Sequence, residues 1–546
     1  MRLTHSFGAA MTALAMIASP ALAQDNAGAP QRGQSGRAVE LSPYIEVSQV
    51  VLAELSPGDD VLTYTQVAAG VDAVLTGRNS GGSVSLRYER NISYGDDQLD
   101  SDTISGVARG YMSIVPNTVT LEAGALASRT TVDGSGGTSA NPLVVQDQES
   151  RIYSAYAGPN VTTRAGDVHV NALGRVGYTR VESPDAIVTT AGAEPLDVFD
   201  DSVTYRGEVH LATKPGEPLP VGIAVGGGIF QEDISNLDQR VRDIHWRSDV
   251  TVPVSPTLAV VGGVGYEDVE ISSRDVLRDA NGTPVVGSDG RFVTDTSAPR
   301  RIAFDVDGLI WDAGVIWRPS RRTSLEAHVG RRYGSTTYYG SFAWAPSPRS
   351  AFNLSVYDGV TGFGGVLTNS LAALPTKFEA TRNALTGDFS GCVAGETGAN
   401  CLGVFGSIRS STFRGRGVQA SYSRQVGRYS AAVAAGYDRR KFIAAPGTIL
   451  AAANGVTDES YYITTSVSGE LGANAGFTVG SYVNWFESGF ADGGDVVAMG
   501  SSASYRRTLT PNLSARAAVS LDYLDSDLSP EDIKAASGLL GLRYDF

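Results

Sequence analysis

Short segments in which every second residue is apolar recur along the chain from about Val39 to the C-terminus, and this pattern constrains the fold most strongly. In Ser83–Arg90, for example, Val84, Leu86 and Tyr88 alternate with polar residues. Because successive side chains of a β-strand point to opposite faces of a sheet, such segments predict strands with one apolar and one polar face. The pattern is repeated in Val168–Thr179, Thr323–Arg332, Tyr429–Arg440 and Leu513–Tyr523.

The connections between these segments alternate between short turns and longer polar stretches. Turn-forming residues mark the short connections, such as Pro116-Asn117 and Thr510-Pro511-Asn512, whereas Ser272–Arg301 is one of the long ones. This alternation is typical of a membrane barrel with periplasmic turns on one rim and extracellular loops on the other, while a propeller would repeat as four-strand blades. We therefore predict an all-β fold, a transmembrane antiparallel up-and-down β-barrel of about 22 strands within a range of roughly 18 to 22.

The first residues have the layout of an export signal. Arg2 supplies a positive charge, Phe7–Ile17 is a short apolar run, and Ala21-Leu22-Ala23 is a small-residue cleavage site. The apolar run is too short to anchor the chain as a spanning helix, which needs about 20 residues. The predicted organisation is a signal peptide at 1–23, a polar periplasmic linker at 24–40 and a barrel at 41–546. Because so short a linker precedes the first strand, we expect no plug domain and disfavour uptake of the TonB-linked kind.

The amino-acid composition agrees with a sheet that has one apolar face and one polar, water-exposed face. Charged residues make up 18% of the chain, below the roughly 25% of soluble domains, and glycine accounts for 64 of 546 residues. The formal net charge of −15 argues against nucleic acid as a partner.

The C-terminal residues repeat the alternating pattern up to the last position. Leu540, Leu542, Tyr544 and Phe546 alternate with glycine and charged residues. This ending resembles the signal, here Tyr544 and Phe546, that the barrel-assembly machinery of the outer membrane reads. We therefore expect the cell outer membrane as the location, with outer-membrane lipid, lipopolysaccharide and that machinery as partners.

Residues suited to catalysis are scarce. The histidines that follow the signal lie singly on separate predicted strands, at positions 169, 210, 245 and 328. No G-x-S-x-G or H-E-x-x-H motif occurs, and the glycine-rich pieces lack the strand-to-helix context of a phosphate loop. The chain is therefore predicted not to be an enzyme, and no cofactor or metal site is expected.

Charged residues on the polar faces of the strands are the candidates for lining the lumen. An arginine that faced lipid near the midplane would cost roughly 2–4 kcal/mol, so these side chains are expected to point inward. They either form ion pairs that brace the wall or line a pore that selects solutes. The candidates are Arg87, Glu89, Arg175, Glu326, Arg332, Arg424, Arg440, Arg516, Asp522 and Arg543.

The longest interruption of the strand pattern is Asp358–Ser410. This stretch either covers the extracellular mouth as an exposed loop or folds into the lumen as a constriction. It contains Cys392 and Cys401, which in an oxidising compartment are expected to form a disulfide rather than a metal site, since a metal site needs more ligands nearby.

The start of the barrel resembles a known family. The segments Leu41–Val47, Tyr64–Val67 and Ser83–Glu89, followed by Tyr94, are similar to the beginning of members of the β-barrel porin type 2 family. The resemblance implies an outer-membrane barrel, and some relatives are associated with exopolysaccharide export, whose components would then be further partners. We expect a channel for small solutes or for support of surface polysaccharide export. The alternative is a non-conducting barrel with a structural or surface-interaction role.

Overall fold

A computed structural model describes residues 38–94, 101–132, 138–139, 149–182, 201–288, 290–395, 398–402, 411–490, 493–527 and 531–546. The signal peptide predicted at 1–23 and most of the predicted linker lie outside these residues. The described part is one compact unit dominated by strands. The first strand begins at Ala38, three residues before the predicted Leu41.

The strands, numbered in chain order, are β1 (Ala38–Ser56), β2 (Val61–Thr76), β3 (Ser80–Ser93), β4 (Ser101–Val115), β5 (Val119–Val132), β6 (Thr138–Ser139), β7 (Glu149–Ala165), β8 (Val168–Glu182), β9 (Asp201–Thr213), β10 (Gly222–Ile234), β11 (Gln239–Ser255), β12 (Leu258–Ser273), β13 (Arg301–Ser320), β14 (Thr323–Arg332), β15 (Ser335–Ser347), β16 (Ser350–Thr361), β17 (Phe378–Arg382), β18 (Phe389–Gly395), β19 (Gly398–Cys401), β20 (Phe413–Val426), β21 (Tyr429–Phe442), β22 (Thr457–Glu470), β23 (Ala475–Glu487), β24 (Val496–Thr510), β25 (Leu513–Ser526) and β26 (Ile533–Asp545). The one α-helix of the described residues, α1, is Phe363–Ala373. Short 3-10 helices occur at Asn236–Asp238 and Ile449–Ala453.

Twenty-two of these strands form a single closed antiparallel barrel. Each wall strand pairs with its neighbours in the chain, and the last strand, β26, pairs with β1, for example Tyr544 opposite Ile45. Closure gives every wall strand two partners, which removes the exposed sheet edges that lipid could not hydrogen-bond. The prediction of an all-β, antiparallel barrel of about 22 strands is confirmed. No helix among the described residues is long and apolar enough to cross a membrane.

The connections sort onto two rims as predicted. One rim carries the N-terminal end of β1 and the C-terminal end of β26. It also carries the tight turns that are rich in proline, glycine and asparagine, such as 116–118 and 166–167. The other rim carries the long loops, together with the short connections 57–60 and 235–238 and the turn at Tyr333 and Gly334, where both residues have positive φ values of 54° and 68°. The alternation of side chains in β13 is irregular near Ile302 because the pairing of β12 with β13 shifts by one residue at that point.

The outer face of the barrel is apolar and carries aromatic side chains near both rims. Toward the loop rim, Tyr437, Tyr461 and Trp485 lie on adjacent strands with ring centroids 5.0 and 5.5 Å apart. Toward the turn rim, Tyr544 and Phe546 contact each other at 5.0 Å. An apolar band between two aromatic girdles is how a barrel meets a bilayer, so the chain is an outer-membrane protein.

Several tyrosines pair directly with a glycine on the neighbouring strand. Tyr462 lies opposite Gly436, and a Cβ at Gly436 would be only 2.3 Å from the Tyr462 ring. Tyr482 lies opposite Gly500 in the same way. The ring covers the backbone of a residue that has no side chain of its own, and it thereby stabilises a strand position that glycine would weaken. The same relationship holds for Tyr44–Gly70, Tyr156–Gly124 and Tyr357–Gly417.

The interior contains the residues 362–395 and 398–402, called here the lumenal segment, which comprise α1 and the small sheet β17–β19. Its residues contact eleven consecutive wall strands, from β25 through β26 and β1 to β10. A segment that touches this much of a closed ring must lie inside it. Of the two alternatives for Asp358–Ser410, the described part of this stretch therefore corresponds to the one that folds into the lumen.

Candidate functional site

A network of buried ion pairs joins the lumenal segment to the wall. On β3, the guanidinium of Arg87 lies 3.2 Å from the carboxylates of both Glu46 and Glu89. Glu89 also lies 3.3 Å from Arg129 on β5, and Arg129 lies 2.8 Å from Asp388 of the lumenal segment. All five side chains are buried. Because an unpaired charge in such a place would be costly, the chain of alternating charges fixes the segment against β1, β3 and β5.

A second contact lies beside this network, on the strands that close the barrel. Arg516 of β25 reaches Glu46 at 3.2 Å and donates to the carbonyl of Ala384. Leu385 packs next to it in an apolar cluster that includes Val50 of β1 and Leu539 of β26. The turn of the lumenal segment around residue 385 is therefore held by charge on one side and by apolar burial on the other.

The start of α1 is held by a buried carboxylate of the wall. Glu232 of β10 accepts hydrogen bonds from the backbone N–H groups of Gly362 and Gly365, at 2.7 and 3.0 Å, and from the hydroxyl of Thr361 at 3.0 Å. The first N–H groups of a helix have no partner within the helix, and the helix dipole favours negative charge there. Glu232 satisfies both requirements and so anchors α1 near the loop rim.

Apolar packing against the barrel wall also holds α1 in place. Leu367 and Leu371 are fully buried against wall residues of β4, β5, β7 and β8, including Ile152 and Val181. Complete burial of such side chains contributes about 1.5–3 kcal/mol each. The helix is thus attached to the wall rather than suspended in the opening.

The inner faces of β11–β14 carry a ladder of charged side chains. Arg332 lies 2.7 Å from Asp243 and 3.2 Å from Glu267. One step along the ladder, Arg247 lies 2.9 Å from Asp312, which in turn lies 3.1 Å from His328. The carboxylates of the ladder, which outnumber its arginines, are Asp243, Asp249, Glu267, Asp312 and Glu326.

The turn residue Tyr333 lies at the loop-rim end of the ladder and donates hydrogen bonds to two of its carboxylates. Its hydroxyl donates to Asp243 at 3.2 Å, and its backbone N–H donates to Glu267. Burial raises the pKa of the Tyr333 hydroxyl, so it remains a donor under physiological conditions.

The middle of the inner faces of β20–β24 differs from both regions because it carries small, uncharged, half-buried side chains, whereas charged pairs such as Arg440–Asp438 and Arg506–Glu470 lie toward the rims. Directly paired examples are Ser466 and Gly480, and Gly480 and Ser502. Tyr462, Tyr482 and Asn484 add larger polar groups nearer the loop rim. Further small members of this neutral wall are Ser421, Thr464, Thr478 and Ser504.

The candidate lumen residues fall into groups rather than one site. Arg87, Glu89 and Arg516 belong to the buried network, and Glu326 and Arg332 belong to the ladder. The other inward-facing candidates pair locally: Arg175 lies over the ring of Tyr156, Arg440 pairs with Asp438, Asp522 accepts from Tyr482, and Arg543 lies over Tyr44 and pairs with Asp545.

Arg424 is the exception and corrects the prediction. It lies opposite Ala431 of β21, on the same face as Val418 and the exposed Val426. This face is the outer one. Arg424 lies next to the turn at Gly427, where its long side chain can reach the headgroup region, so the cost of an outward arginine near the midplane does not apply.

Sequence reasoning missed the partners that make the network. Glu46, Arg129, Asp388 and Glu232 were not among the candidates, although Glu46 lies between Ile45 and Val47 in the alternating pattern that predicts an inward position. A charged residue in an alternating strand is a signal for the inner face only. Nothing local distinguishes those that meet the lumenal segment.

The two cysteines are joined within the lumenal segment. Cys392 of β18 and Cys401 of β19 lie directly opposite each other and form a disulfide. Among the described residues, no group of three or more His, Cys, Asp or Glu side chains is placed to hold a metal ion.

Comparisons with known proteins return solved structures alone. No protein-family model matches the chain, and no curated protein matches it. The FrpB iron transporter of Neisseria meningitidis (F5-1 variant) is 12% identical, with a TM-score of 0.44 over 92% of this chain and 82% of that chain. The ferric-catecholate import receptor Fiu of E. coli K12 is 9% identical, with a TM-score of 0.45 over 92% and 81%. The siderophore receptor PiuA of Acinetobacter baumannii is 9% identical, with a TM-score of 0.43 over 92% and 82%. Similarities this low assign neither a family nor a cargo, and the resemblance to the porin type 2 family stays a prediction.

Proposed function

We propose that the chain is an outer-membrane channel for small polar solutes, with a path that runs between the neutral wall of β20–β24 and the charged ladder of β11–β14. The observation that carries the proposal is the contrast between the two sides of the lumen. Most of the side chains that meet the lumenal segment are buried, such as Arg129 and Ile152, whereas those of the neutral wall, such as Ser466, are partly exposed.

The chemistry of this lining suits small solutes. Hydroxyl groups and backbone left uncovered at glycine offer hydrogen bonds without strong charge, so a polar solute can exchange its water without being trapped. A polymer of sugars would need a wider opening, which requires the lumenal segment to detach from Arg129 and Glu232. Passage of small solutes needs no such displacement and is therefore the function that we favour over polysaccharide export.

Conductance of the refolded protein in a planar bilayer tests the proposal. The sharpest design uses two neighbouring cysteine substitutions, Ser466→Cys on the inner face and Thr465→Cys on the outer face. The native cysteines are joined in a disulfide and leave the introduced thiol as the reactive one. A bulky charged thiol reagent is expected to lower the conductance of S466C and to leave that of T465C unchanged.

The outcomes separate the alternatives. An absence of conductance in the wild type, together with normal heat-dependent mobility on SDS gels, would favour the non-conducting structural barrel. Equal block of both cysteine variants, or of neither, would show that ions do not pass along the neutral wall. Conductance that is large only after the contacts of Arg129 are broken would instead favour a polymer path.

A further inference from the structure

The outer surface near the loop rim carries a cluster of five cations on β14, β20 and β21, called here the cationic patch. Each shares its face with an exposed apolar residue of the same strand, such as Val329 of β14 or Val433 of β21, so all point toward lipid. The members are Arg331, Arg414, Arg416, Arg439 and Lys441.

Four of these cations form two directly opposed pairs. Arg414 lies opposite Lys441, and Arg416 lies opposite Arg439. Like charges placed directly opposite each other destabilise a sheet. A protein with a formal net charge of −15 has this arrangement in spite of its acidic balance, which indicates that a negative group offsets the repulsion.

The carboxylates of the chain offset only part of the repulsion between these cations. Asp358 lies 2.7 Å from Arg414 and 3.2 Å from Arg416, with its own side chain fully buried. Glu459 lies 3.5 Å from Arg439. Two carboxylates therefore face five cations, and Arg331 and Lys441 add exposed positive charge beside them.

Two of the cations also have a structural role. The pairing of β15 with β16 ends at Gly340 and Val356, so the upper part of β15 separates from its neighbour. Arg414 and Arg416 bridge the gap by donating to the backbone carbonyl of Thr336, at 3.2 and 2.6 Å. The cations that remain accessible for a ligand are thus Arg331, Arg439 and Lys441.

The patch lies at the depth of lipid headgroups. Arg439 is two residues beyond Tyr437 of the aromatic girdle, a rise of about 7 Å along the strand. The outer face of β12 and β13 at the same rim is acidic instead, with Asp268 opposite Asp307 and Glu270 opposite Asp305. The excess of positive charge is therefore a feature of this sector, since outer-face arginines elsewhere at the rim, such as Arg90 and Arg242, pair with carboxylates.

We propose that the cationic patch binds the phosphate groups of a phosphorylated glycolipid in the outer leaflet of the outer membrane. The leaflet that surrounds this rim is the one that contains such lipids, and a phosphate between Arg439 and Lys441 would relieve the repulsion between opposed cations. The acyl chains of the lipid would lie against the apolar band below. The patch would hold one lipid at a fixed position beside β20 and β21.

Native mass spectrometry of the refolded protein with bisphosphorylated lipid A tests this site. The double variant Arg439→Ser/Lys441→Ser removes two accessible cations without touching the bridge to Thr336, and it is expected to bind lipid A about thirtyfold more weakly. A charge-matched control is Arg90→Ser/Arg242→Ser, which removes two outer-face arginines that already pair with Asp102 and Asp268. That control is expected to bind lipid A as the wild type does.

Two results would overturn the proposal. One is unchanged lipid A binding in the patch variant, provided that its heat-dependent mobility shows a folded barrel. The other is wild-type binding of phosphatidylglycerol as tight as that of lipid A, which would mean that the surface attracts any anionic lipid. Lipid A from which both phosphates have been removed should bind equally to the wild type and to the patch variant.

Discussion

Arg129 of the barrel wall and Asp388 of the lumenal segment form a buried ion pair with an N–O distance of 2.8 Å. The two residues are 259 positions apart in the chain, and their contact ties the lumenal segment to β5. Glu89 provides the second carboxylate of Arg129, so the pair is one link of a longer network.

Replacement of Asp388 by asparagine is expected to loosen the lumenal segment while the barrel remains intact. Loss of one partner from a buried ion pair costs about 3–5 kcal/mol, and here that cost weakens the closed position of the segment. Single-channel recordings should show a higher or more variable conductance. Glu379→Gln is the matched control, because Glu379 is an exposed carboxylate of the same segment and should have no effect. A D388N channel that is indistinguishable from the wild type would show that the ion pair does not hold the segment.

Replacement of Glu232 by glutamine is expected to loosen the start of α1. Gly362 and Gly365 donate to different oxygens of the carboxylate, so the single amide oxygen can accept from only one of them, and the charge that favours the helix terminus is lost as well, at a cost of about 1–2 kcal/mol. Hydrogen–deuterium exchange of a peptide that covers Phe363–Ala373 should become about tenfold faster. Asp233→Asn is the control, since Asp233 is the next residue on β10 and pairs with Arg240 on the other face. Equal protection in E232Q and the wild type would contradict the anchoring role.

The barrel could be predicted because its signals are local. Alternation along a strand and the residues of a tight turn depend on neighbours in the sequence, so the strand count and the turn rim followed from the chain alone. The position of the lumenal segment could not be predicted in this way. It depends on contacts such as that between Ser83 and Thr376, which are 293 residues apart.

The misplaced Arg424 shows a second limit. The outer row of β20 has only Val418, Ala420 and Tyr422 between arginines on both sides, so its apolar row is too short to identify the outer face from the sequence. Charge alone was then used to choose a face, and this rule fails at a rim, where an arginine on the outer surface reaches water. Charge also fails to identify the inner face at the other end of the same strand, where Arg414 and Arg416 face outward.

Replacement of Gly436 by alanine is expected to destabilise the barrel because the new methyl group would meet the ring of Tyr462. The contact would be 2.3 Å, and the ring is held between β21 and β22, so overpacking should lower the free energy of unfolding by about 1–3 kcal/mol. Gly538→Ala is the control, because a Cβ at that position would meet nothing within 4 Å. Denaturant unfolding, monitored by heat-dependent mobility on SDS gels, measures the free energy of unfolding of both variants. Destabilisation of the two variants by the same amount would mean that backbone freedom, and not the tyrosine contact, decides the effect.

Replacement of Glu326 by glutamine is expected to reduce preference for cations in a conducting channel. Glu326 is the most exposed carboxylate of the ladder, with 45% of its side chain accessible, and the carboxylates there outnumber the arginines. Removing one accessible negative charge from a narrow polar path lowers the local concentration of cations. The reversal potential under a salt gradient should therefore shift toward zero, by roughly several millivolts. Arg424→Ser should leave the reversal potential unchanged, since Arg424 faces lipid. If R424S shifted the potential as much as E326Q does, the assignment of inner and outer faces on β20 would have to be reversed.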